Sequence, residues 1–226
     1  MDPHWKGAYL NTSPFYTFDP FEGNLVNNLV TALNSSSNGS DEKLLSFVKK
    51  EPSVLQRLNK QGINSFTKRS DIKWDDATII FVLLTPEGEK GEALQRPFDK
   101  SIARERLGRF PWNEGNVIEY LLKYLITPEN EQGLRLSKLL AQLCQYFNIT
   151  NQNHDRFAKG IGGLKLLGYL TADEALQLAE DFRKTKWKIS ASEPFDGGVV
   201  QIVKHLQTIL RAAKNRDLGI VMREHS

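Results

Sequence analysis

Seven apolar residues at helical spacing, Val199, Ile202, Val203, Leu206, Ile209, Leu210 and Ala213, constrain this chain more than any other feature. Residues three and four apart share one face of an α-helix, so the series is a stripe that must be buried against a partner. The signature recurs at Val117, Ile118, Leu121, Leu122 and Leu125, and again at Leu136, Leu139, Leu140, Leu143 and Phe147. Nearer the start, Leu25, Val26, Leu29, Val30 and Leu33 repeat it, and two shorter pieces follow: Leu44, Leu45 and Val48, then Val54, Leu55 and Leu58. So many amphipathic segments have to cover one another. The expected fold is mainly α within the α+β class, a multi-helix domain with a few short strands.

Turn chemistry divides the segments. Asp19, Pro20 and Glu22 read as the N-cap, first helical position and capping-box acid of the first helix. The polar run NSSSNGS at 34–40, Pro52, Gly62 and the pair Thr127-Pro128 read as stops. The first eighteen residues read as an extended arm. Two strands are expected, at 78–84 in the apolar run TIIFVLL and at 218–222 in LGIVM. For the former, periodicity alone does not separate a strand from a buried helix. GRFPWNEG, at 108–115, punctuates the chain and places a boundary between an N-terminal helical region, 1–112, and a C-terminal helical domain, 113–226.

Composition narrows the class further. The chain has 226 residues, 40% hydrophobic and 25% charged, the balance of an ordinary globular protein long enough to bury a real core. Its net charge of +3 permits contact with nucleic acid without arguing for it. The basic residues Arg96, Lys100, Arg104, Arg106 and Arg109 stand among Asp99 and Glu105 and read as a solvated helix face. No basic-then-apolar leader opens the chain, and the longest apolar run, 77–84, falls far short of the roughly 20 residues that span a bilayer. The expectation is a cytoplasmic protein with no membrane partner. Cys144 is the single cysteine and lies within the stripe around Leu140 and Leu143, where it reads as a buried thiol.

The familiar catalytic patterns are missing from the sequence: there is no phosphate-binding Gly-x-x-x-x-Gly-Lys loop, no Gly-x-Ser-x-Gly elbow and no His-Glu-x-x-His. His4, His154, His205 and His225 are scattered, and the adjacent acids Asp75-Asp76 and Asp173-Glu174 read as helix-start charges. The expectation is therefore no catalytic residues, no metal and no cofactor.

One stretch, GIGGLKLLGYLTADEALQLAEDF at 160–182, invites more than one reading. Its second half opens a helix, with Thr171 and Glu174 as a capping box, Leu170 and Ala175 as a hydrophobic staple, and Leu176, Ala179 and Phe182 facing inward. A basic connector with Arg183, Lys184, Lys186, Trp187 and Lys188 follows. Its first half, taken with the preceding residues, looks like a winged-helix segment over 134–170. In that reading Phe157, Ile161, Leu164 and Leu167 are the buried stripe of a recognition helix, and Arg156, Lys159 and Lys165 reach phosphates. Gly160, Gly162 and Gly163 would each weaken such a helix by about 1 kcal/mol relative to Ala. The other reading makes the glycines a tight turn that feeds Leu164, Leu166 and Leu167 into the core.

The order of GYLTADEALQLAEDF, a connector, a long amphipathic helix ending in Ala-Ala-Lys-Asn, and LGIVM covers 168–222. It resembles the end of the YfbM-like family of small uncharacterised bacterial proteins, where a Tyr-Leu-Thr-x-Glu-Glu helix start leads to a similar final helix and strand. The resemblance implies no catalytic residues. Relatives of that kind often sit beside toxin or secretion genes, which implies a role in binding a partner protein. The leading expectation is thus a non-catalytic protein-interaction protein, such as a bacterial immunity or accessory factor. The alternatives are the winged-helix nucleic-acid binder and an enzyme with no recognisable motif.

Overall fold

A computed structural model of the chain describes residues 15–86, 116–149 and 154–225. The domain boundary expected near residue 112, the basic residues between Arg96 and Arg109, and most of the N-terminal arm lie outside the described residues. Helices dominate, with a few short antiparallel strands, as the sequence implies.

A three-stranded antiparallel sheet sits at the centre. It consists of β1 (Phe15–Phe21), β3 (Lys165–Leu170) and β5 (Gly219–His225), in the order β1-β5-β3. The C-terminal strand is therefore the middle one, and its neighbours come from opposite ends of the chain. Alternation along the strands separates two hydrophobic layers. Tyr16, Phe18, Ile220 and Met222 join one cluster, and Phe21, Leu166, Tyr169 and Val221 join the other. A bulge between Leu166 and Gly168 shifts the pairing of β3 with β5, so Leu167 and Leu170 still reach the first cluster.

The second cluster is completed by α1 (Val26–Ser37), α2 (Glu42–Lys50), α3 (Pro52–Lys60), α4 (Asp76–Leu84) and the short α7 (His154–Ala158). The first is completed by α5 (Val117–Tyr124), α8 (Ala172–Lys184) and α9 (Gly198–Lys214). The long α6 (Glu131–Ile149) serves both, with Leu136, Leu139, Leu140 and Leu143 in the first and Phe147 in the second. A two-residue pairing of β2 (Leu125–Ile126) with β4 (Lys188–Ile189) ties the connector after α8 to the end of α5.

Two sequence expectations are corrected here. The apolar run at 78–84 is not a strand but most of helix α4. Asp75 caps it, accepting from the Thr78 amide at 2.8 Å, and Ile79, Ile80, Leu83 and Leu84 are all fully buried. A helix covered on nearly every side shows no polar face, so its periodicity is silent. Asp19 and Pro20, in turn, do not start a helix; they lie within strand β1, which ends at Phe21. Asp19 is buried and takes a hydrogen bond from Arg223 Nε at 2.6 Å, while Arg223 also lies 4.4 Å from the centre of the Phe81 ring. An edge strand accommodates the missing N–H of Pro20. The Glu22 side chain makes no capping hydrogen bond; its carboxylate receives Arg57 of α3, and the first α-helix begins at Val26 after a short 3-10 turn.

The capping box at Thr171 and Glu174 forms as expected. The buried stripe of α8, however, is Ala175, Leu178 and Phe182, and Leu176 and Ala179 are only half-buried. Rotating the helix by one position lets Asp181 enter the core, where Arg135 of α6 meets it with two hydrogen bonds of 2.8 Å. Trp187 in the connector donates to the Phe182 carbonyl at 3.0 Å and packs on the first cluster.

Candidate functional site: the 160–163 turn and its charged bed

The glycine-rich stretch does not form a recognition helix. Helix α7 stops at Ala158, a 3-10 turn covers Ile161–Gly163, and β3 starts at Lys165. The recognition helix of the winged-helix reading is thus absent, and its chain enters the sheet instead. Three glycines within four residues disfavour a helix, and β5 offers Lys165 to Leu170 a row of hydrogen-bonding groups.

Each glycine has its own reason. A Cβ on Gly160 would sit 2.7 Å from Thr78 Oγ1 and 2.8 Å from Asp75 Oδ1, so only glycine lets the turn approach the start of α4 so closely. Gly162 and Gly163 take φ values of 70° and 80°, in the left-handed region that side-chain-bearing residues avoid.

Asp75 fastens the turn. One carboxylate oxygen accepts from the Thr78 amide at 2.8 Å; the other accepts from the Thr78 hydroxyl at 2.9 Å and from the Ile161 amide at 2.8 Å. Burial pushes the Asp75 carboxyl up, but these hydrogen bonds outweigh it and hold the group below its ordinary range. Gly160 N–H closes the turn on the Leu164 carbonyl at 2.8 Å, and Lys159 bridges to Lys165 across its base.

Beside it, Asp76 sits between two guanidinium groups and is nearly inaccessible, 6% exposed. Arg69 donates Nε and Nη2 to one oxygen at 3.0 and 2.7 Å, and Arg156 donates Nε to the other. Arg69 also reaches the carbonyls of Ile72 and Trp74, while Arg156 reaches Ser37, Asn34 and the Leu33 carbonyl. One carboxylate thereby ties α4, α7, the end of α1 and the segment after α3 together.

The residues expected to meet phosphates are therefore not equivalent. Arg156 is a structural cross-link. Lys165 makes a 2.6 Å ion pair with Glu224 on the neighbouring strand. Lys159 stays at the surface, paired with Asp155 one turn away at 2.9 Å. Ile161, placed in the buried stripe by the helix reading, is 70% exposed at the tip of the turn.

No family model, curated protein or solved structure matches this chain.

The sequence did not mark Asp75 as the partner of the glycines, nor Asp76 as the partner of Arg156. The adjacent acids did mark a helix start, an N-cap and a first-turn acid ahead of an apolar run. Their distance of 85 residues or so from the turn hides the rest, because the contact is tertiary; the Ile161 amide bond to Asp75 spans 86 positions. Among the described residues no group of three or more His, Cys, Asp or Glu side chains is arranged to hold a metal ion. No described helix is long and apolar enough to cross a membrane.

Proposed function

We propose that this chain is a non-catalytic binding protein that engages another protein, with the 160–163 turn as a point of contact. One observation carries the reading: Ile161 is held out to solvent, 70% exposed, on a backbone that is already fastened on both sides by Asp75 and Leu164. A single exposed isoleucine is common on protein surfaces. A fastened one differs energetically, because little conformational freedom remains to be lost when a partner covers it. The Asp75 hydrogen bond and the Gly160–Leu164 closure hold the base of this tip, and Gly162 and Gly163 take the left-handed conformations that the turn requires.

The test is cross-linking in a lysate of the source cells through a photoreactive group placed next to Ile161, followed by identification of the captured protein. The same partner should be captured by the wild type and by Leu55→Asp, a change at an exposed apolar residue on α3, and lost in Ile161→Asp. Capture that is indifferent to Ile161→Asp would remove the turn from the interface. Steeply salt-dependent binding of duplex DNA, lost on reversing the charge of Lys159, would favour the nucleic-acid reading instead. The immunity or accessory role implied by the family resemblance is a narrower form of the proposal. Co-purification with the product of a neighbouring gene tests it.

A further inference from the structure

Helices α8 and α9 pack side by side and leave a surface groove of about 300 Å³ between them. Its floor is apolar, from the half-buried Leu176 and Ala179, and Gln207, Arg183, Arg211 and Lys214 rise around it. The three cations are exposed and make no ion pair or side-chain hydrogen bond among the described residues. Glu180 is the one acid lining the groove, and Lys184 already holds it at 2.6 Å. That hydrogen bond, with the positive charges of Lys184, Arg183 and Lys214, keeps the Glu180 carboxyl below its ordinary range. Helix α9 contains no acidic residue along its 17 positions, so nothing on it offsets the charge.

Cations in the last turn of a helix complement its dipole, and Arg211, Lys214 and Arg183 each lie in such a turn. That accounts for their sign. It does not account for their gathering about one apolar floor without a carboxylate among them beyond the paired Glu180.

We infer that this groove is a docking site for an acidic segment of a partner protein, one that places an apolar side chain on Leu176 and Ala179 between carboxylates that meet Arg183, Arg211 and Lys214. Charge complementarity selects an anionic occupant. The floor selects a peptide over a nucleic acid: single-stranded nucleic acids use aromatic platforms for their bases, and no aromatic side chain lines this groove. The inference rests on the protein-binding reading but on a different surface from the turn.

The experiment uses the full chain and a fluorescent peptide of alternating Glu and Asp with one central Leu, followed by anisotropy at low and physiological ionic strength. Binding should weaken roughly tenfold or more in the double variant Arg211→Glu, Lys214→Glu, since each reversal replaces an attraction with a repulsion. It should also weaken when the peptide's Leu becomes Ser, and when Leu176 is changed to Ser, a substitution at a half-buried site that leaves the cations in place. Circular dichroism and a thermal melt verify that each variant is folded. The inference is overturned if the acidic peptide does not bind at low ionic strength, if binding ignores the double reversal, or if the Leu-to-Ser peptide binds as tightly as the original. It is overturned equally if duplex DNA competes for the same residues more strongly than the peptide does. Failure here leaves the turn reading standing, because capture at Ile161 is measured separately.

Discussion

At the scale of single residues, two glycines illustrate two different needs. A Cβ on Gly168 would lie 2.1 Å from the Gln142 carbonyl oxygen and 2.6 Å from that of Leu143, so β3 lies directly against the backbone of α6. Neither backbone can yield cheaply. Gly168→Ala should therefore cost about 3 kcal/mol or more, at the upper end of overpacking. Gly162 has open space around it and a φ of 70°, so Gly162→Ala should cost only the left-handed strain, about 1 kcal/mol. Urea unfolding of the two variants separates the cases, and equal losses would refute the close-approach argument. Asp75 supplies a pH prediction. Its carboxyl is held below its ordinary range in the folded state, so its contribution is present above the unfolded carboxylate range and is lost as pH falls through the lower folded value. The stability gap between wild type and Asp75→Asn should be present at neutral pH and shrink as pH falls below the ordinary carboxylate range. Thermal melts across pH measure it, and a gap that widens in acid would contradict the sign.

At the scale of elements, helix starts are where local chemistry acts most directly. Thr171 Oγ1 accepts from the Glu174 amide at 3.2 Å, and the Glu174 carboxylate accepts from the Thr171 amide at 2.8 Å. The same carboxylate takes a hydrogen bond from Gln142 of α6 at 2.9 Å, so the box also docks α8 onto its neighbour. Thr171→Ala should lose about 1 kcal/mol, while Thr171→Ser, which keeps the hydroxyl, should lie within a few tenths of wild type. Chemical denaturation distinguishes them, and an equal loss for both would mean that packing of the methyl group, not the cap, is at stake. Helix α4 teaches the complementary lesson. Its cap was legible in Asp75-Asp76, yet its body was not, because a helix covered on nearly every side and a buried strand present the same run of Ile, Phe, Val and Leu.

At the scale of the whole molecule, the sheet joins what the sequence divides. Strand β5 places Ile220 and Met222 in one hydrophobic cluster and Val221 in the other, and β1 brings residues 15–21 against the end of the chain. Loss of either cluster strips one face of the same three strands. Trp74 packs on one cluster and Trp187 on the other. Variants in which Trp74 or Trp187 is the single tryptophan left of the chain's four should report unfolding transitions with coincident midpoints in denaturant, as two-state behaviour requires. Separate midpoints would mean two independently stable halves. Cys144 offers a second probe of the same cooperativity. It is 2% exposed, and burial pushes its thiol up to about 12. In the native protein a thiol reagent at mildly alkaline pH should react slowly, with a rate that rises in step with global unfolding. Rapid labelling without denaturant would show that α6 opens locally.

What the sequence determined by itself was local: the amphipathic stripes of α5, α6 and α9, the capping box of α8, the closing strand and the burial of Cys144. Each depends on periodicity or on contacts within a few residues, which the order of amino acids displays directly. What the tertiary structure decided was set by partners far along the chain. Asp19 became a strand residue because Arg223 reaches it 204 positions away, and Arg156 became a cross-link because Asp76 is buried beside it. The stretch at 160–170 became a turn and a strand because β5 and Asp75 were there to receive its amides. A charged residue reads the same in sequence whether it faces water or a buried counter-charge. Only the packing that excludes water from one side of it makes the distinction.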